Sequence, residues 1–128
     1  MSYATAVRSY QEASASAAAG EASAHQLVAM LYAGAQARLA TARGAIARGD
    51  VSGKLKAMSA ALAIIEHLQV SLDHYGGGEI AARLQALYEY MQRRLLHANV
   101  ANDAAAVDEV LGLLRSLSEG WNGIARQV

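Results

Sequence analysis

Not one proline occurs among the 128 residues, and alanine and leucine recur throughout. Proline is the strongest helix breaker, while alanine and leucine are among the best helix formers. Only glycine is left to punctuate the chain, so an all-α fold is expected. The length suits a single compact domain.

The spacing of bulky apolar residues divides the chain into four amphipathic segments. In the first, Leu27, Met30, Leu31, Leu39 and Ile46 share a face with the small residues Gly34, Ala35 and Ala42. Ser23, with Gln26 three residues on, has the pattern of a capping box, and Gly49 suits a C-terminal stop. A second helix starts near Asp50 or Ser52, with Leu55, Met58, Leu62, Ile65 and Leu72 on its stripe. The glycines of "HYGGGE" read as a reversal. A third helix runs from Glu79 to Val100 on Ile80, Leu84, Leu87, Met91, Leu95 and Ala98. Asp103 is the expected N-cap of a fourth. There Val107, Val110, Leu114, Leu117, Trp121, Ile124 and Val128 alternate steps of three and four, a heptad seam. Short connections make neighbouring helices antiparallel. The expected architecture is an antiparallel four-helix bundle over 23–128, preceded by an arm and linker over 1–22. In that arm Tyr3, Val7 and Tyr10 form an apolar stripe, followed by a small, polar stretch too poor in bulky residues to fold alone.

Several function classes find little support. Eleven lysines and arginines balance eleven aspartates and glutamates. A neutral chain lacks the basic footprint of a nucleic-acid binder or of a helix adsorbed on a membrane. The segment "LQALYEYMQRRLLHANVAND" does place tyrosines beside arginines, as single-strand binding needs. But Tyr88 and Tyr90 point about 200° apart around a helix and cannot form one stacking face. The absence of cysteine excludes disulfides and thiolate metal sites. His67 and His74 stand seven residues apart, about 10.5 Å along a helix, too far to share a metal. Glu66 and Asp73, or Glu79 and Glu89, pair as catalytic carboxylates only on paper. "GGGE" follows a helix rather than a strand, unlike a phosphate loop. No catalytic residue, metal or cofactor is therefore expected. With no signal peptide pattern and no long apolar run, a soluble cytoplasmic protein is expected.

The stretches "SYATAVRSY", "ASAHQLVAMLYAGA", "ARGDV" and "GGGEIAARLQALYEYMQRRLLHANVANDAAAVDEVLGLL", with Trp121, resemble the FliS family of flagellar secretion chaperones. The likeness spans nearly the whole chain and is most specific from Gly76 to Leu114. Two positions depart from the family pattern. Ala24 stands where proline is usual, and Ala33 where an acidic residue is usual. The resemblance implies a cytoplasmic, non-enzymatic bundle that binds the disordered C-terminal segment of flagellin. It would prevent premature polymerisation and deliver flagellin to the flagellar type III export gate. The resemblance also implies that Tyr3, Val7 and Tyr10 cover part of the flagellin groove in the free protein and dock to the gate.

Independently, the helices carry more apolar positions than one seam needs, including Val28, Met30, Tyr32, Ile64, Leu68, Tyr88 and Leu96. Methionines Met30, Met58 and Met91 adapt to varied partner shapes. The expected groove residues are Leu27, Val28, Met30, Leu31, Tyr32, Ile64, Leu68, Tyr88, Met91 and Leu95. Whether the surplus faces serve a client or a homodimer of the free protein stays open at this level, as does a co-chaperone.

Overall fold

A computed structural model describes residues 20–127. Four helices occupy almost all of that span: α1 (Gly20–Arg48), α2 (Val51–Val70), α3 (His74–Ala101) and α4 (Ala104–Gln127). Each helix packs on the next, and α4 returns to pack on α1. This is the expected antiparallel four-helix bundle. The arm residues Tyr3, Val7 and Tyr10, and Val128 at the end of the seam, lie outside the described residues.

The α1/α2 pair is the most extensively packed. Its contact is built from small side chains: Ala35, Ala42 and Ala45 on α1 and Ala57 and Ala61 on α2 are buried. Small residues let two helix axes approach closely. Larger residues then close the centre, with Leu39, Met58, Ile65, Met91, Leu95, Val107, Val110 and Leu114 almost fully enclosed.

Two of the three turns use the same chemistry. Gly49 adopts a positive φ of 70°. Asp50 N–H then bonds Ala45 O at 2.9 Å and Gly49 N–H bonds Ile46 O at 3.2 Å, the Schellman pattern. Asp50 next caps α2, its carboxylate accepting from Gly53 N–H at 2.9 Å. At the other turn Asn102 takes the positive φ, 51°. Asp103 N–H bonds Ala98 O at 3.1 Å, and the Asp103 carboxylate accepts from the N–H groups of Ala105 and Ala106. Asp103 is the N-cap expected from the sequence, and Asp50 is the residue, of the two starts the sequence left open, that caps α2.

Four local expectations need correction. The first helix begins at Gly20, so Ser23 is a buried interior residue and not the N-cap of a capping box. Glu21 and Ala22 are good helix formers and carry the helix upstream. The chain reverses at Ser71–Asp73, ahead of the glycines, and Asp73 caps the new helix through Gly76 N–H at 2.9 Å. The glycine triplet instead supplies a kink at Gly78, whose φ of 50° and ψ of −122° suit only glycine. On α2 the buried stripe runs through Ala57, Met58, Ala61, Ile64, Ile65 and Leu68, while Leu55 is exposed. Finally, the seams of α3 and α4 fray at one end, where Ile80 and Ile124 are exposed. Tyr90 and Arg94 both reach Glu109, which fixes the α3/α4 register. Counting from that link puts Ile124 level with the glycine triplet of α3, which has no side chains to cover it.

Two buried polar arrangements were not legible in the sequence. Lys54, on the first turn of α2, is buried and donates to Asn99 O at 2.8 Å and to Asn102 Oδ1 at 2.7 Å. Its ammonium thus sits on the carbonyl end of α3, where a cation is favoured by the helix dipole. The hydroxyls of Tyr32 and Tyr88 hydrogen-bond each other at 2.6 Å in the core. Burial pushes both phenols above their ordinary value, and in Tyr88 the bond to Tyr32 adds to the rise.

Tyr32→Phe or Tyr88→Phe alone should cost about 1–3 kcal/mol, since each strands one buried hydroxyl. The double variant should cost less than the sum, which a urea double-mutant cycle would measure. The raised phenol values also set a pH dependence. Stability from keeping these phenols neutral is complete below pH 10.0, the ordinary tyrosine value, and falls as pH rises above it. The double variant should show a shallower alkaline fall in the urea midpoint.

Candidate binding surface

The ten expected groove residues separate by burial. Leu31, Tyr32, Ile64, Leu68, Tyr88, Met91 and Leu95 are at most 3% exposed and belong to the core. Leu27 and Val28 are half-buried against that core, and Met30 is 38% exposed. The structure therefore leaves Leu27, Val28 and Met30 partly accessible in the first half of α1, with Val28 and Met30 on opposite flanks, about 200° apart around the helix. It places the other seven beneath. Tyr88, expected at the margin of the buried stripe, lies inside it because its hydroxyl finds a partner in Tyr32.

Three of the lateral faces differ in what crosses them. On the α1/α4 face Arg43 pairs with Asp108 at 3.0 Å. On the α3/α4 face Arg94 pairs with Glu109 at 2.8 Å and the Tyr90 hydroxyl donates to the same carboxylate. The Tyr90 hydroxyl, followed by Arg94, holds the Glu109 carboxyl below its ordinary range. Arg93 lies 5.9 Å from the Tyr90 ring centre. The tyrosines and arginines of the third helix thus divide between core and an ion-paired flank, and form no stacking platform. On the α2/α3 face Gln92 Nε2 donates to Gln69 Oε1 at 2.7 Å, and near the start of α2 the Lys54 ammonium makes the second link, to Asn99 O and Asn102 Oδ1. Leu55, Leu96 and Val100, all exposed, lie toward this face.

At the end of the bundle where α1 begins, His25 and Trp121 form a reciprocal clasp. Trp121 Nε1–H donates to His25 O at 2.8 Å. His25 Nε2 meets Trp121 O at 2.8 Å, and since a carbonyl only accepts, Nε2 carries the hydrogen. The two rings stack with centroids 4.5 Å apart and planes 12° from parallel. The clasp ties the root of α1 to the last turns of α4. Sequence spacing alone could not pair residues 96 positions apart.

No group of three or more histidines, cysteines, aspartates or glutamates among the described residues is placed to hold a metal ion. No helix among them is long and apolar enough to cross a membrane. What the described residues do present is a helical bundle with large apolar side chains exposed on its flanks.

An all-α bundle with surface apolar strips defines a helical binding module, and comparison with known proteins makes the class specific. The family model described as "Flagellar protein FliS" matches residues 6–128. The flagellar secretion chaperone FliS of Salmonella typhimurium is 46% identical over 123 residues, covering 95% of this chain and 91% of the relative. Flagellar secretion chaperone FliSB of Pseudomonas aeruginosa is 42% identical over 120 residues, covering 94% and 95%. The FliS of Bacillus subtilis is 33% identical over 96 residues, covering 75% and 71%. The chain belongs to the FliS family.

The chain has one tryptophan, so its fluorescence reports the clasp directly. His25→Ala should move the Trp121 emission to longer wavelength and cost about 1–2 kcal/mol by urea denaturation, the worth of the ring stack and of the one hydrogen bond the imidazole makes, since the indole bond to the backbone carbonyl of residue 25 remains. Unchanged emission would mean that the clasp does not hold in solution.

Proposed function

We propose that this chain is a cytoplasmic, non-enzymatic export chaperone whose client is flagellin. It holds the disordered C-terminal segment of flagellin against apolar strips of the bundle. This blocks polymerisation before export, and the complex docks on a component of the flagellar type III export gate. The observation that carries the reading is the family match, which runs from residue 6 to residue 128. The relatives' name, flagellar secretion chaperone, supports an export role.

Physical chemistry supports the same reading. The outer surface keeps large apolar residues, among them Met30, Leu55, Leu96 and Val100. Amphipathic helices dock on such strips through anchors at i, i+3, i+4 and i+7. Leu27, Val28 and Met30 are the expected groove residues at the surface on α1. The seven buried ones hold the helices that present it. A formally neutral chain suits an apolar client better than a polyanion.

Titrating the protein with the flagellin C-terminal segment should give a strongly negative heat-capacity change and a gain in helical circular dichroism. Absence of both at micromolar concentration would remove flagellin as the client. Light scattering separates the competing reading: a homodimer that ignores the segment would favour self-association.

The stripe Tyr3, Val7 and Tyr10 is proposed to cover an apolar strip until the client displaces it, and then to contact the gate. A binding surface occupied by its own arm binds more weakly in proportion to the uncovered fraction. Deleting residues 1–12 should raise affinity for the isolated segment, lower the solubility of the free protein and weaken docking of the loaded complex to the gate. Unchanged affinity and solubility would return these three residues to ordinary packing roles.

A further inference from the structure

The end of the bundle opposite the His25–Trp121 clasp holds a cavity of about 160 Å³, between the α1/α2 turn and the C-terminal end of α3. Ala45, Ile46 and Val51 give it apolar walls, and Asp50, Lys54 and Asn102 line it with polar groups. A single water needs only about 10–15 Å³ of such space, so the cavity has room for a group of several heavy atoms. Lys54 is the unusual member of the wall. It is 6% exposed, and it enters none of the ion pairs among the described residues. Lysine is almost never buried to this degree unless paired. Its two acceptors, Asn99 O and Asn102 Oδ1, are both neutral. They and the carbonyl end of α3 ease the burial without balancing the charge. An ammonium has three protons, so one donor is left over. Because Lys54 and its acceptor Asn102 both line the cavity, that donor stands at its wall. The oxygen of the Asn102 amide faces the ammonium, which leaves its N–H groups as further donors at the same place. Asp50, the acid of the wall, is committed elsewhere: its carboxylate accepts from Gly53 N–H and lies 3.9 Å from Arg48.

We propose that this cavity is a binding site for a carboxylate on a short aliphatic stem, with the Lys54 ammonium as its counter-ion. The carboxylate takes the remaining ammonium proton, and the Asn102 amide N–H reaches its second oxygen. Ala45, Ile46 and Val51 cover the stem. A phosphate suits the site less well, since it brings a second negative charge beside Asp50 and has no apolar stem for the walls. The same chemistry comes from two sources, a free short-chain carboxylate or a glutamate side chain presented by another protein. This assignment is independent of the client reading and concerns a part of the bundle that reading leaves unused.

The test is a nitrogen–proton NMR titration of the full chain with butyrate at constant ionic strength, with butyramide as the uncharged control. Butyrate should shift the amide signals of Gly49, Lys54 and Asn102 saturably, in the millimolar range that suits so small a ligand. Butyramide should bind at least about tenfold more weakly. Two variants are compared with the unaltered protein. Lys54→Met keeps the stem and removes the charge. Val51→Glu, at an exposed position, sets a fixed anion on the cavity wall and leaves Lys54 in place. Each should weaken butyrate binding at least about tenfold. Thermal melts monitored by circular dichroism verify folding, and if Lys54→Met does not fold, Val51→Glu decides. A blocked pentapeptide with one central glutamate separates the sources: binding tighter than butyrate assigns a partner's side chain, and weaker binding assigns a free carboxylate, either result upholding the site. No saturable shift with butyrate, an equal response to butyramide, or unchanged butyrate binding by a folded variant overturns the proposal.

Discussion

Close approach of α1 and α2 along a ridge of alanines is the constraint on which the rest of the bundle depends. Ala35, Ala42, Ala45, Ala57 and Ala61 leave little volume between those two helices. A core of this kind has room for only a limited set of large side chains, and Leu39, Met58, Met91, Leu95 and Leu114 fill it. More than half of the chain is hydrophobic. The apolar residues that the narrow core cannot take remain on the outside, among them Leu55, Leu96 and Val100. A thin core and a partly apolar exterior are thus two sides of one choice of residue size.

The fold was largely legible because helix periodicity is a local signal. The two aspartate caps were readable for the same reason: Gly49 and Asn102 precede Asp50 and Asp103, and the left-handed residue followed by an N-cap is short-range chemistry. Register was not legible. Whether Leu55 or Ile64 faces inward on α2 depends on which side the neighbours approach, and the sequence reading put Leu55 on the stripe and Ile64 among the surplus positions. The stripe through Leu55, Met58, Leu62 and Ile65 is a valid helical face, but Leu55 and Leu62 lie at its edge toward α3. The glycine triplet misled for a different reason. Glycine marks unusual backbone conformation without saying whether that conformation is a reversal or a kink.

The binding surface was less legible still. Residues such as Tyr32, Tyr88, Ile64 and Leu68 looked surplus because the count of core positions assumed one seam per helix. Each helix here packs against two neighbours, so its buried sector is wider than one seam. Tyrosine added to the error. A phenol at the edge of a stripe usually keeps its hydroxyl in water, but two phenols can enter a core together when each satisfies the other. The His25–Trp121 clasp and the Lys54 cap were hidden because long-range partners leave no trace in spacing.

Ion pairs at a bundle surface contribute little to stability, commonly about 0.2–1 kcal/mol when exposed. Their distribution carries more information than their energy. A cross-helix pair such as Arg43–Asp108 or Arg94–Glu109 closes the shallow groove between two helices with charge that a docking apolar helix would have to desolvate. Two faces of this bundle are closed in that way. On the α2/α3 face, the Gln92 amide donates to Gln69 Oε1 across the groove, and leucine and valine lie exposed at its outer edge. The charge that does cross this face, Lys54, is buried and already bonded to Asn99 O and Asn102 Oδ1. That difference in polar chemistry sets the α2/α3 face apart from the two faces that carry cross-helix ion pairs.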